Sequence, residues 1–94
     1  MTISASKQVA DWLKRLPPEP KKRVRAALRG LARWKGDIKE LQGELEGFYR
    51  LRVGGYRIVI NVAPERLIRL EYTDTRDIVY EAFRQLRFLA EMDE

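Results

Sequence analysis

Between residues 48 and 62, apolar and polar or basic positions largely alternate, pause at Gly54-Gly55, and alternate again. This is the pattern of two strands joined by a tight hairpin. A third strand is predicted over 66–72, reached through a turn at Pro64, and Asp74-Thr75 break its pattern. On either side the period becomes helical. Ala5, Val9, Trp12, Leu13 and Leu16 share one face of a helix that Ser4 or Ser6 can cap and Pro17-Pro18 ends. A second helix is expected from about Pro18–Pro20 to Trp34 or Lys35, stopped by Gly36, with Val24, Ala27, Leu28, Leu31 and Trp34 as its apolar stripe. Gly30 weakens it slightly and suits close packing. Residues 37–47 read as a polar connection anchored by Leu41 and Leu45. A last helix begins near Asp77, with Val79, Ala82, Phe83, Leu86 and Ala90 toward the sheet and Phe88 about opposite. Met1–Ile3 has room for only a short strand. The expected fold is therefore α+β. A small antiparallel sheet (a three-stranded meander, extended if that short N-terminal strand forms) packs with an N-terminal helical hairpin and a C-terminal helix. One domain spans residues 1–94.

Composition narrows the chemistry. The chain has no histidine and no cysteine. That excludes disulfides, thiol nucleophiles, histidine acid–base pairs and the usual zinc sites. No apolar run approaches the ~20 residues that span a bilayer, and the first residues lead into no apolar signal core. A cytoplasmic protein without membrane contact is expected. The net charge of +5 is unevenly spread: residues 1–39 hold eleven Lys or Arg and three acids. Such a half attracts a polyanion or an acidic protein segment, although surface charge often serves only solubility.

Within the hairpin, Tyr49, Leu51 and Val53 share one face, and Phe48, Arg50 and Arg52 the other. If the apolar sets pack on helices, Arg50, Arg52 and Arg57 emerge together as a cationic patch on a rigid sheet. Arginine binds phosphate oxygens in a planar, bidentate way, so a sheet that displays arginine and tyrosine together is a plausible place to hold RNA. Solvent-facing arginine on a strand can also be simple edge protection. RNA cleavage requires an activated 2′-hydroxyl, stabilisation of the charged transition state, and help for the leaving oxygen. Arg76 and Tyr80, at the start of the last helix, are candidates if that helix begins beside the hairpin. Tyr80 would accept a proton or stack on a base. On the second helix Arg25, Arg29 and Arg33 recur every fourth residue with Lys21 and form a basic stripe. Asp74, Asp77 and Glu81 have a spacing that allows Mg²⁺, but acids at a helix start are more often dipole compensation. No metal or cofactor is expected.

The whole chain resembles toxins of the RelE/ParE superfamily from bacterial type II toxin–antitoxin systems. The resemblance is carried by Ser6-Lys7-Gln8 before the first helix, Leu16-Pro17, Lys39-Glu40-Leu41-Gln42-Gly43, the stretch Gly47-Phe48-Tyr49-Arg50-Leu51-Arg52-Val53-Gly54-Gly55-Tyr56-Arg57-Ile58-Val59, and Arg76-Asp77-Ile78-Val79-Tyr80. It implies a ribosome-dependent endoribonuclease that cuts messenger RNA in the vacant A site. Position by position it makes Arg57, Arg76 and Tyr80 catalytic, and Arg50 and Arg52 RNA-binding. Arg25, Arg29 and Arg33 would join them in holding RNA. Many relatives carry a histidine where this chain has Thr75, and some carry an arginine near Asp74. The alternative within the same scaffold is a ParE-like inhibitor that binds DNA gyrase. Either role implies a cognate antitoxin, with operator DNA met only through it. An exposed patch of Phe88, Tyr80 and Arg84 is expected under that antitoxin or a second copy.

Overall fold

The computed structural model describes residues 1–75 and 78–92. Its elements are β1 (Thr2–Ala5), α1 (Lys7–Arg15), α2 (Pro18–Leu31), β2 (Asp37–Glu40), a 3₁₀ turn (Gly43–Leu45), β3 (Phe48–Val53), β4 (Tyr56–Ala63), β5 (Leu67–Asp74) and α3 (Ile78–Met92). The strands form one sheet in the order β1-β5-β4-β3-β2. β1 runs parallel to β5, and all other neighbours are antiparallel.

The meander of β3, β4 and β5 follows the alternation in the sequence. Val53 pairs with Tyr56 across a two-residue turn, where Gly54 takes φ +58°, a conformation that favours glycine. The sheet is larger than the three strands and optional edge strand expected. Residues 37–40, read as connection, add an edge strand to β3 with Ile38 opposite Leu51. Ile38 is the only apolar residue in that strand. A short edge strand with charged faces carries almost no hydrophobic period, so pattern alone did not reveal it. β5 also runs on through Asp74, which pairs with Arg57 rather than ending the strand. Between Val59 and Ile60 the β4–β5 register shifts. Glu71 is the extra residue of that bulge.

α1 and α2 cover one face of the sheet. Val9, Leu16, Val24 and Leu31 bury against Leu51, Ile58, Ile60, Ile68 and Leu70. Ser6 caps α1: its hydroxyl accepts from the Val9 N–H at 3.3 Å and donates to the Glu71 carbonyl at 2.9 Å. Gln8 then lays its carboxamide along β5, donating to the Thr73 carbonyl (2.9 Å) and accepting from the Thr73 N–H (3.0 Å). The helical part of α2 stops at Leu31, short of the Trp34 or Lys35 expected. Lys35 N–H bonds the Gly30 carbonyl and Trp34 N–H the Leu31 carbonyl, with Trp34 at φ +56°. This is a Schellman ending with tryptophan in the left-handed position. A Cβ on Gly30 would lie 3.1 Å from the Lys35 carbonyl oxygen, which is the close packing its glycine suits.

α3 lies on the opposite face, so the sheet is sandwiched rather than covered on one side. Val79 and Phe83 bury there with Leu45 and Val59, bordered by Leu41, Phe48, Tyr72 and Tyr80. The expectation that Leu86 and Ala90 also face the sheet is not met: both are exposed. Only the first half of α3 finds sheet beneath it.

Candidate functional site

The face of the sheet that meets α3 carries the hairpin arginines, as the alternation requires. Cross-strand register aligns them in a row. Asp37 on β2 is opposite Arg52 on β3, Arg52 is opposite Arg57 on β4, and Arg57 is opposite Asp74 on β5. Two arginines face each other directly, which is unfavourable by itself, and an acid closes the row at each end. Arg50, two residues along β3 from Arg52, sits on the same face. Its guanidinium donates to the Asp37 carboxylate at 2.9 Å and to the Asp37 carbonyl at 3.1 Å. The Arg50 side chain keeps only 17% of its exposure. The hydrogen bond from Arg50, aided by the charge of Arg50 and Arg52, holds the Asp37 carboxyl below its usual range. Arg57 donates to the Thr75 carbonyl at 3.1 Å, and its own carbonyl accepts from the buried Thr73 hydroxyl at 2.9 Å. Arg52 donates to the Gly54 carbonyl at 3.4 Å.

Tyr80 enters this neighbourhood from α3. It is half-buried against the Val59 and Phe83 cluster. It lines a cleft of about 290 Å³ together with Lys39, Glu40, Leu41, Gln42 and Arg50. Of the hairpin arginines, Arg50 shares this cleft with Tyr80. Arg76 and Asp77 lie outside the described residues. Asp74 stands in the arginine row, and Glu81 is held on its own helix by Arg84 and Gln85. The hydrogen bond from Arg84 lowers the Glu81 pKa. Among the described residues, no three acids gather where a cation could sit.

The basic stripe of α2 is not part of this site. α2 packs on the other face of the sheet, and Arg25, Arg29 and Arg33 are exposed there. Arg25 and Arg29 flank a shallow groove of about 390 Å³ with Met1, Ile3, Leu28 and Ala32. RNA reaching both the stripe and the arginine row must pass around an edge of the sheet. Phe88 and Arg84 share a cleft with Glu44 and Gln85, away from the one that Tyr80 lines. Sequence reasoning missed Asp37 and Lys39 because it missed β2. It noted Asp74 only as a strand breaker, a metal candidate and the place of a relative's arginine.

What this face can do follows from its groups. Arg50, Arg52 and Arg57 offer planar donors for a phosphate, and Tyr80 offers a hydroxyl and a ring. The flanking carboxylates compete for the same donors, so an incoming phosphate exchanges with them rather than meeting bare cations.

No protein-family model and no curated protein matches the chain. Solved structures do. A chain of the RelBE2 toxin–antitoxin complex of Mycobacterium tuberculosis matches at TM-score 0.66 and 24% identity, over 80% of this chain and 90% of that one. For the RelB–RelE antitoxin–toxin complex of Methanococcus jannaschii the values are 0.63 and 28%, over 82% and 94%. The isolated E. coli RelE toxin matches at 0.65 and 15%, over 90% and 97%. YoeB, YafQ and ParE-like toxins are also structural neighbours. The fold of this chain is that of the RelE/ParE superfamily of toxins.

Proposed function

We propose, taking that fold as the premise, that this chain is the toxin of a type II toxin–antitoxin pair and cuts messenger RNA on the ribosome. One observation carries the reading. Arg50, Arg52 and Arg57 share one sheet face in contiguous register, beside a cleft that Arg50 and Tyr80 line together. In the proposed reaction Arg52 and Arg57 hold the scissile phosphate and stabilise the charge that grows on its oxygens. Arg50 orients the neighbouring nucleotide, and Tyr80 takes the 2′-hydroxyl proton. The attacking 2′-oxygen displaces the 5′-oxygen, leaving a 2′,3′-cyclic phosphate and a 5′-hydroxyl. Arg76 joins this set by the resemblance alone. Arg25, Arg29 and Arg33 serve as a separate electrostatic footing for ribosomal RNA.

The partner is a cognate antitoxin. Leu86, Phe88, Leu89 and Met92 on the second half of α3 are 50%, 61%, 58% and 66% exposed. An apolar strip of this kind supports a protein partner. Chains from antitoxin–toxin complexes are among the structural neighbours. No described helix is long and apolar enough to cross a membrane, and we place the protein in the cytoplasm with its ribosome target. A second reading, gyrase inhibition by protein binding, is favoured by the acids at both ends of the arginine row, which cancel its formal charge.

Primer extension on a defined messenger in a reconstituted translation system, with and without ribosomes, separates the two. Ribosome-dependent cuts by the wild type, lost in Arg57→Ala and retained in Arg33→Ala, support the nuclease. No cuts at concentrations that arrest growth would refute it and direct the search to gyrase supercoiling.

A further inference from the structure

The cleavage just described needs two proton transfers, one from the 2′-hydroxyl and one to the departing 5′-oxygen. Arginine stays charged at all accessible pH values and gives up no proton. The chain has no histidine or cysteine to do so. Tyr80 is assigned to the first transfer, and the second has no agent among the residues considered so far.

β2 supplies one. Lys39 stands directly opposite Arg50 in the β2–β3 ladder. Opposed residues share a face, with Cβ atoms about 4.5–5.5 Å apart. Lys39 lines the same cleft as Arg50 and Tyr80. Arg50 is committed to Asp37, whereas among the described residues no ion pair or hydrogen bond engages the Lys39 ammonium. Its long stem lets that ammonium sweep the cleft mouth, where Leu41 and Tyr80 offer apolar surface for a base or ribose. The ionisable residues around it are Glu40, which follows it in the strand and lines the cleft, Arg50 with the Arg50-bound Asp37, and Tyr80 from α3.

We infer that Lys39 is a further catalytic residue, the proton donor to the leaving 5′-oxygen; this rests on the endoribonuclease reading. The 2′-hydroxyl gives its proton to solvent by way of the Tyr80 oxygen as the 2′-oxygen–phosphorus bond forms. The phosphorus–5′-oxygen bond breaks, and that oxygen takes a proton from the Lys39 ammonium. Solvent then returns a proton to the Lys39 amine, so charge and protons balance.

The test uses single-turnover cleavage on stalled ribosomes, with an ordinary messenger and one carrying a bridging 5′-sulfur at the cut site. A thiolate leaves without protonation, so a general acid is dispensable on that substrate alone. Lys39→Ala and Lys39→Arg should both slow the ordinary messenger by about 100- to 10,000-fold and the sulfur messenger by no more than a few-fold. Arg57→Ala should slow both. Lys39 is exposed on an edge strand, and unchanged thermal melting would verify folding of the variants. Wild-type rates in Lys39→Ala, equal slowing of both substrates, or full rescue by Lys39→Arg would overturn the assignment while leaving the nuclease reading intact. Failure of the wild type to cut either messenger would overturn both.

Discussion

Phe83→Ala should undock α3 without unfolding the sheet. Phe83 is 6% exposed and meets Phe48 edge-on at 5.1 Å and Tyr72 at 6.4 Å. Among the described residues, it and Val79 are the buried anchors of α3 in the smaller core cluster. Burying a valine or phenylalanine side chain contributes about 1.5–3 kcal/mol, so the two anchors hold α3 with about 3–6 kcal/mol. Truncating a buried phenylalanine to alanine costs about 3–5 kcal/mol. Arg84 also ties α3 to Glu44, and Arg87 lies over the Phe48 ring at 4.7 Å. These are solvent-exposed contacts that add little. A 15-residue helix has marginal stability alone, so the variant leaves α3 near balance between docked and released. The larger cluster lies across the sheet and loses nothing directly. In hydrogen exchange, α3 amides should lose protection by about 150- to 4,000-fold, the same free energy expressed as opening constants. Amides of Leu51, Ile58 and Leu70 should stay within about tenfold of wild type. A uniform loss across α3 and these strands would show that the two cores open as one unit, and the layer argument would fail.

Two smaller perturbations test the N-terminal cap and the acid-flanked row. Ser6→Ala removes both an acceptor for the Val9 N–H and a donor to the Glu71 carbonyl, so it should lower stability by about 1–2 kcal/mol. The expected result is a lower urea midpoint with an unchanged slope. The Asp37 carboxyl is depressed in the folded chain, chiefly by its hydrogen bond from Arg50. Its stabilising contribution is therefore present above the ordinary Asp value of about 3.9 and is lost as pH falls through the lower folded value. Carboxyl NMR should give an Asp37 midpoint below that value in wild type and a rise in Arg50→Gln. A midpoint unmoved by the substitution would contradict the pairing.

The meander and the two first helices were legible because their burial is regular. Phe48 to Asn61 largely alternate across a turn that glycine permits, and Ser6 is a capping residue directly before an apolar helical stripe. β2 was not legible because an edge strand that buries mainly Ile38 has no period to read. The end of α2 was misplaced since Trp34, an apolar residue at helical spacing, leaves the helix by a left-handed turn and still packs on Tyr49 at 5.0 Å. Leu86 and Ala90 fit the stripe of Val79 and Phe83, but a stripe records periodicity and not where the sheet beneath it ends. The arginine face followed from alternation alone. Its acidic flanks needed the register of four strands, which no local pattern carries.

The Gln8 carboxamide bears on how this edge of the sheet is protected against the addition of another strand. β1 accompanies β5 only from Leu67 to Leu70, so the last residues of β5 would otherwise present a free ladder on that side. At Thr73 the amide offers one donor and one acceptor at strand-like distances. It fills a backbone position that another extended chain would need. The sheet is thus closed by a side chain where its own strand runs out, and at that point α1 blocks further strand addition without any strand being present.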